Sequence, residues 1–297
     1  MEASTTTAIE ERPEPALAGK KYDDPLWAER YASYWEPVLA PAGRRLLDAL
    51  ARDGLTSDAA MAPPSGTLTL LDVGTGTGLL AIDAAQRWAG ARIIGVDPSA
   101  AMVAVARRRA AGLAAANGQL EWHEAPADRL PIPDQAVDLA VSSFVFQLVP
   151  KRLAALRETF RVLRPGGLLG YVTWIKMDEP FVPRDIVDEE VGELAASWGG
   201  AAPVAGDVAS VGAAARQLRR AGFQSVRAWQ EELSREWTPA AYLEYVEACR
   251  NADAFASLDA DARTALRDRL RARLARLPSS GFNWSAPIVF AIGRRPG

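Results

Sequence analysis

The stretch Leu70-Leu71-Asp72-Val73-Gly74-Thr75-Gly76-Thr77-Gly78 decides the fold of this chain. A short, mostly apolar run with strand character enters three glycines at alternate positions, and a helical pattern, Leu79–Trp88, starts directly after them. Glycine accepts positive φ and lets a ligand come close to the main chain. The free N–H groups at a helix start favour a negative ligand group. Asp97 stands 19 residues after Gly78, at the end of the strand-like run Arg92–Val96. A carboxylate placed there can accept both hydroxyls of a ribose. The glycine spacing separates candidate ligands. The dinucleotide fingerprint is Gly-x-Gly-x-x-Gly, whereas here the third glycine comes one residue early and Leu79 fills the last position. Asp72, just before the loop, suits an ammonium group better than a pyrophosphate. A ligand with an amine, a carboxylate and a ribose therefore fits better than a nicotinamide dinucleotide. The bland alternative is a tight glycine turn with no ligand.

The same rhythm continues outward from the loop. Ala100–Ala116 reads as a second helix, Leu120–Glu124 as a third strand and Val137–Ser142 as a fourth. Lys151–Leu163 reads as a helix stopped by Arg164-Pro165-Gly166-Gly167, and Leu168–Trp174 as a fifth strand. Strands alternating with helices of this length predict a mainly parallel sheet covered on both faces. Upstream, Trp27, Tyr31, Tyr34, Trp35 and Leu39 recur at helical steps, with Pro37 and Pro41 expected to split the stretch into two helices. Downstream, residues 176–210 read as irregular and Gln217–Gly222 as a helix end. Phe223–Leu233 reads as a sixth strand, residues 238–278 as helical and Ala286–Gly293 as a last strand.

The 297 residues allow one large domain or two small ones. With 34 Lys+Arg against 37 Asp+Glu, the net charge of −3 argues against a nucleic-acid partner bound through global charge. A single Cys249 leaves no intramolecular disulfide and points to a cytoplasmic location. One His and one Cys exclude a His/Cys zinc site, and no metal is expected. No apolar run reaches the roughly 18 residues of a membrane span, so stable membrane insertion is not expected. Residues 1–19, rich in Ala, Thr, Glu and Pro, lack a signal-peptide pattern and read as a disordered tail.

Five segments taken in order carry a resemblance. They are Leu71–Leu80, Val96-Asp97-Pro98-Ser99, Arg129-Leu130-Pro131-Ile132-Pro133-Asp134, Val137-Asp138-Leu139 and Arg161-Val162-Leu163-Arg164-Pro165-Gly166-Gly167. Together they resemble class I S-adenosylmethionine-dependent methyltransferases, in the branch that includes the ubiquinone/menaquinone-biosynthesis C-methyltransferases. The resemblance runs in register over about residues 67–175. It implies a doubly wound, seven-stranded, mostly parallel sheet, S-adenosyl-L-methionine as cofactor and S-adenosyl-L-homocysteine as product. It implies that Asp72 and the loop Gly74, Thr75, Gly76, Gly78 hold the methionine end. It further implies that Asp97 takes the ribose and that Pro98, Ser99 and Met102 lie beside the adenine. Where the family shows Gly-Asp-Ala, this chain has Ala125-Pro126-Ala127-Asp128, so either Asp128 or the backbone of Ala127 reads the adenine. Ser142, Ser143 and Phe144 would flank the methionine chain, and Gln147-Leu148 stands where the family often has a His pair.

On the acceptor side the candidates are Tyr31, Trp35, Gln147 and Trp174, with core packing as the plain alternative for each aromatic. His123, Asp178 and Glu179 are weak candidates for a base. Arg107-Arg108-Arg109 reads as a solvated face. Arg267, Arg269, Arg271, Arg273 and Arg276 line the polar side of a C-terminal helix, diluted by Asp259, Asp261 and Asp268. The expected organisation is the tail, then one methyltransferase domain over residues 20–297. Within it lie N-terminal helices (20–60), a cofactor-binding core (67–175) and two substrate-cap insertions (176–210 and 238–278). Phe181, Val182, Trp198, Tyr242, Tyr245 and Phe255 in the insertions point to a lipophilic or aromatic acceptor. The expected activity is in-line methyl transfer to a small molecule, and a homodimer is left open. The rivals are an NAD(P)-dependent oxidoreductase and a non-catalytic S-adenosylmethionine-binding protein.

Overall fold

Strand β1 (Thr69–Val73) sits in the middle of a seven-stranded sheet because its side chains are apolar toward both faces. In the computed structural model, which describes residues 22–55, 66–111, 119–176, 180–196 and 206–297, Leu70 packs on one face and Leu71 and Val73 on the other, all at 0 % exposure. The sheet order is β3-β2-β1-β4-β5-β7-β6, with β2 (Arg92–Asp97), β3 (Gln119–Glu124), β4 (Val137–Ser143) and β5 (Leu163–Trp174) parallel to β1. Strand β7 (Asn283–Arg294) inserts antiparallel between β5 and β6 (Gln224–Glu236). The chain runs outward from β1 to β3, then returns to the other side of β1 as β4. The β1/β4 boundary is thus the switch point where ligands of such sheets bind, outside the carboxyl ends of the strands.

Helices α2 (Glu36–Leu55) and α3 (Leu79–Arg87) cover one face, through Leu46, Leu47, Leu50, Leu80 and Ala84. Helices α5 (Arg152–Val162) and α7 (Val211–Ala221) cover the other, through Leu156, Val162, Ala214 and Leu218. The short α1 (Pro25–Arg30) lies against α4 (Ala100–Ala110), where Ala28 packs with Ala101, Met102 and Val105. A separate apolar core joins α6 (Val182–Ala196), α8 (Pro239–Tyr245), α9 (Ala252–Ser257) and α10 (Ala260–Leu274) through Val187, Tyr242, Phe255, Leu266 and Leu270.

Three sequence expectations change, and part of a fourth lies outside the described residues. Pro41 lies inside one continuous α2, and the helix is widened further upstream, at a π-turn over Tyr31–Trp35 that closes on a Glu36 N–H to Tyr31 carbonyl bond. A proline cannot donate to the carbonyl four residues back and crowds it. The wider turn just before Pro37 absorbs that fault, as π-bulges commonly do. Residues 176–210 are not wholly irregular, because α6 carries Asp188-Glu189-Glu190 on its polar side and Ile186, Val187 and Val191 in the core. Arg164-Pro165-Gly166-Gly167 does not merely end a helix, since β5 begins at Leu163 and passes through it, with an irregularity opposite Val137–Leu139. The second helix ends at Ala110, and the rest of its expected span (112–116) lies outside the described residues, as do residues 1–19.

Several motif residues brace the end of the sheet opposite the switch point. Asp138 accepts the Thr69 N–H at 2.7 Å and pairs with Arg164 at 2.5 Å. Arg161 ties α5 to the β3–β4 connection, donating to the carbonyl of Ile132 at 2.9 Å and to Glu158 at 2.8 Å. At Gly170 of β5, a Cβ would lie 3.0 Å from both Leu46 and Leu50, so α2 rests directly on bare backbone. Gly170→Val should therefore destabilise the protein by about 1–3 kcal/mol through overpacking, read as a lowered urea midpoint with an unchanged slope.

Candidate cofactor and acceptor site

The glycine loop owes its shape to two carboxylates and three positive φ angles. Gly74, Gly76 and Gly78 have φ of 73°, 54° and 84°. The loop is stitched to β2 by Gly74 and Thr75 N–H groups donating to the Val96 carbonyl at 2.7 and 3.0 Å. A Cβ at Gly74 would lie 2.4 Å from Val145, and one at Gly78 would lie 2.8 Å from Ala106 and Trp122. At Gly76 it would meet nothing within 4 Å. Two glycines are thus required by close packing, whereas the third faces open space.

Asp97, half-buried at the tip of β2, accepts the Gly76 N–H at 2.9 Å through one oxygen and the Ser99 N–H at 2.9 Å through the other. Each oxygen keeps a lone pair for a further donor, which matches a vicinal diol. Burial, set against those two N–H bonds, pushes its pKa up to about 6. Asp72 lies under the loop at 1 % exposure and accepts the Thr75 hydroxyl at 2.8 Å. Its burial pushes the pKa up to about 7, with Asp97 adding to the rise. The open cradle and the diol acceptor fit the nucleoside end of an S-adenosyl ligand.

The remaining candidates fall into two groups. Pro98 is exposed, whereas Met102 is buried beneath Tyr22, Trp27 and Tyr31. Ser99 caps α4, accepting from the Met102 N–H at 3.1 Å, and donates to the Tyr22 carbonyl at 2.6 Å, which draws the N-terminal segment over the tip of β2. Ala125 N–H donates to the Asp97 carbonyl at 3.0 Å, so Ala127 (buried) and Asp128 (half-buried) follow from the same tip. Ser143 is half-buried at the end of β4, and Ser142 is spent on the Val73 carbonyl at 2.9 Å.

Phe144 has φ of 56°, a strained conformation for a bulky residue. Its carbonyl accepts from Gln147 Nε2 at 2.6 Å, and Gln147 Oε1 accepts from Thr173 at 2.7 Å. Gln147, 4 % exposed, is therefore committed to bracing the loop, a departure from its expected place at the acceptor. The Phe144 ring lies 4.4 Å from Trp174, which is 6.4 Å from Trp35 and 6.0 Å from Trp284. Trp35 in turn stacks on Tyr245 at 5.8 Å. Rings from β5, β7, the β4 tip, the first π-turn and α8 thus converge into one aromatic wall. Tyr31 belongs to the edge of this region, its hydroxyl pKa raised by burial and by the neighbouring Glu36.

Other candidates separate from the site. His123 lies on β3, 3.8 Å from Glu121. Asp178 and Glu179 lie outside the described residues. The Arg107–Arg109 run is exposed, as expected, and its guanidinium groups are also engaged: Arg107 donates to the Trp122 carbonyl, Arg108 pairs with Glu29, and Arg109 pairs with the buried Glu36. Arg267, Arg269 and Arg273 are paired with Glu247, Glu190 and Glu189 within the cap, so those acids neutralise the stripe. The sequence did not single out Glu36, Thr77 as a side chain, or Thr173. For Glu36 the only signal was an acid set between Trp35 and Leu39 on an otherwise aromatic and apolar stripe. Among the described residues, no helix is long and apolar enough to cross a membrane, and no cluster of three or more His, Cys, Asp or Glu could hold a metal ion.

Residues 70–167 match the family described as a methyltransferase domain. The trans-aconitate 2-methyltransferase of Azoarcus sp. (strain BH72) is 35 % identical over 146 residues, 49 % of this chain and 54 % of that protein. The demethylmenaquinone methyltransferase of Thermus thermophilus is 41 % identical over 100 residues, 34 % of this chain and 44 % of that protein. The chain thus spans about half the length of the curated relatives it matches. The [4+2]-cyclase SpnF superposes with a TM-score of 0.52 at 21 % identity, covering 85 % of this chain and 82 % of that one. Phosphoethanolamine N-methyltransferase 2 of Haemonchus contortus, solved with S-adenosylhomocysteine, superposes with a TM-score of 0.50 at 17 % identity, covering 86 % and 53 %. At such identities the likeness is one of fold, and a fold hosts many chemistries. Over residues 70–167, from β1 to the glycine pair inside β5, this chain matches a methyltransferase domain, carried on a seven-stranded sheet of the kind those solved structures share.

Proposed function

We propose that this chain is a cytoplasmic S-adenosylmethionine-dependent methyltransferase that transfers a methyl group by in-line displacement to a small lipophilic or aromatic molecule. The observation that carries the reading is the open cradle at Gly76 beside the Asp97 carboxylate, at the carboxyl end of β1 and β2. The bound donor supplies a methyl group already activated by positively charged sulfur and leaves as S-adenosylhomocysteine. The chain's own task is to hold and orient, and orientation alone can contribute about 7–11 kcal/mol to a two-reactant step.

In this reading Asp97 accepts the ribose hydroxyls. The backbone of Gly74, Thr75, Gly76 and Gly78, backed by Asp72, holds the amino-acid end. Pro98 and Met102 flank the adenine, whose amine is read by the Ala127 backbone or by Asp128. Ser143 and Phe144 border the path to the sulfur. Trp35, Trp174 and Tyr31 border the acceptor, and the ring faces also favour a sulfonium cation. Helices α6 and α8–α10 form the cap on the acceptor side; Phe181, Tyr242 and Phe255 are spent on the cap's own core, and the support for an apolar ligand comes from the converging rings of Trp35, Trp174, Trp284 and Tyr245. Gln147 acts on the acceptor only through Phe144. The relatives and the family are named for methyl transfer, and nothing among them favours a nicotinamide oxidoreductase or a non-catalytic binder.

Calorimetry with S-adenosylhomocysteine and NADH in parallel tests the reading: micromolar binding of the first and none of the second is expected, and the reverse would overturn it. Asp97→Ala should weaken S-adenosylhomocysteine at least tenfold, and an unchanged affinity would remove the ribose assignment. Asp97 must be ionised to accept two hydroxyls, and its pKa in the free protein is about 6. Affinity should therefore begin to fall as the pH drops through about 7, where Asp72 takes up its proton, and fall more steeply, by up to about a further tenfold per pH unit, below 6; Asp97→Asn should flatten only the part below 6. Once an acceptor is found, Trp174→Ala should raise its KM by about tenfold, on the scale of a lost aromatic contact, with the donor KM little changed.

A further inference from the structure

Glu36 is a buried carboxylate, 6 % exposed, that the proposed transfer leaves unused. It is the first residue of α2, directly after the π-turn whose Tyr31 and Trp35 border the site. One oxygen, Oε2, accepts from two donors, the Thr77 hydroxyl and Arg109 Nη1, the latter at 2.7 Å. Arg109 also donates to the Thr77 main-chain carbonyl at 3.1 Å. Thr77, 1 % exposed, is thus held by its side chain and its backbone together. It stands between Gly76 and Gly78, the two glycines whose φ of 54° and 84° shape the open part of the loop.

We propose that Glu36 is a positioning residue for the methyl donor, resting on the donor reading above: through Thr77 it fixes the glycine loop, and through Arg109 it clamps α2 and α4 onto that loop. Glycines on both sides leave Thr77 no backbone stiffness of its own. The neighbouring Gly76 N–H must stay on the Asp97 oxygen for that carboxylate to face the sugar. Without the Glu36 linkage the Gly76–Gly78 end of the loop is left with its bonds to the Asp97 carboxylate and the Thr75 carbonyl and samples other conformations, and a ligand then loses affinity in proportion to the lost binding-competent fraction. The same clamp makes the seating of the N-terminal helix a condition for donor binding, because Tyr31, Trp35 and Glu36 are consecutive parts of one helical segment.

The test is calorimetric titration of the full chain with S-adenosylhomocysteine, with the melting temperature recorded for each variant. Thr77→Val keeps the volume and removes the hydroxyl, and should weaken binding by about tenfold, the size of one hydrogen bond to a charged group. Thr77→Ser restores the hydroxyl and should bind within about twofold of wild type, a rescue that a purely steric role of Thr77 does not give. Glu36→Gln, which also weakens the Arg109 pair, should weaken binding by several-fold, and the double variant with Thr77→Val should lose less than the two single losses combined, since the Thr77–Glu36 bond is shared by both. A Thr77→Val protein that melts lower yet binds as tightly as wild type would overturn the proposal and leave the linkage a structural one. Failure of the wild type to bind S-adenosylhomocysteine would remove the donor assignment and this proposal with it.

Discussion

The hydrogen bond from the Gly76 main chain to Asp97 is the constraint on which the site depends. It joins the turn after the central strand to the tip of its neighbour, beyond the point where the strand ladder itself ends. It also makes a half-buried carboxylate tolerable. Without two main-chain donors, a charge at that depth would be raised further and held neutral. The protein thus keeps a carboxylate near the sheet's switch point with lone pairs still free, a state that burial opposes and the glycine loop makes affordable.

Around this bond the molecule divides its motif residues between two ends of the sheet. Asp72, Asp97 and the glycines stand at the carboxyl end, where ligands of open α/β sheets bind. Asp138, Arg164 and Arg161 stand at the other end and hold strands and helices together. Both groups lie within the segment that matches the methyltransferase family. A motif therefore marks scaffold as readily as chemistry, and only the position along the strand separates the two.

The sequence made the sheet legible because buried parallel strands are continuous apolar runs and their helices repeat at a fixed rhythm. It made the glycine loop and Asp97 legible because the spacing itself carries the geometry. What it did not show depends on partners far away in the chain. Glu36 meets Arg109 and Thr77 only after α2 folds back over the sheet. Gln147 looks like a free polar side chain until β5 brings Thr173 to it. Helix α6 was hidden because its Asp188-Glu189-Glu190 run reads as loop, and becomes a helix face only when Arg250, Arg269 and Arg273 stand opposite. The proline pair misled because local propensity ignores a widened turn just before Pro37 and the packing of Leu46, Leu47 and Leu50 that holds α2 continuous past Pro41.

The cap has an apolar core of its own, distinct from the two that flank the sheet, and it meets the N-terminal helices mainly through Val38 and Trp35. Changes inside one core couple weakly to another that shares few contacts with it. In the proposed reading, the side that would face the acceptor then couples to the glycine loop chiefly through the Trp35–Glu36 segment. A lineage could exchange rings or helices in the cap, and with them the molecules it accepts, while the sheet and its glycine turn went on folding as before.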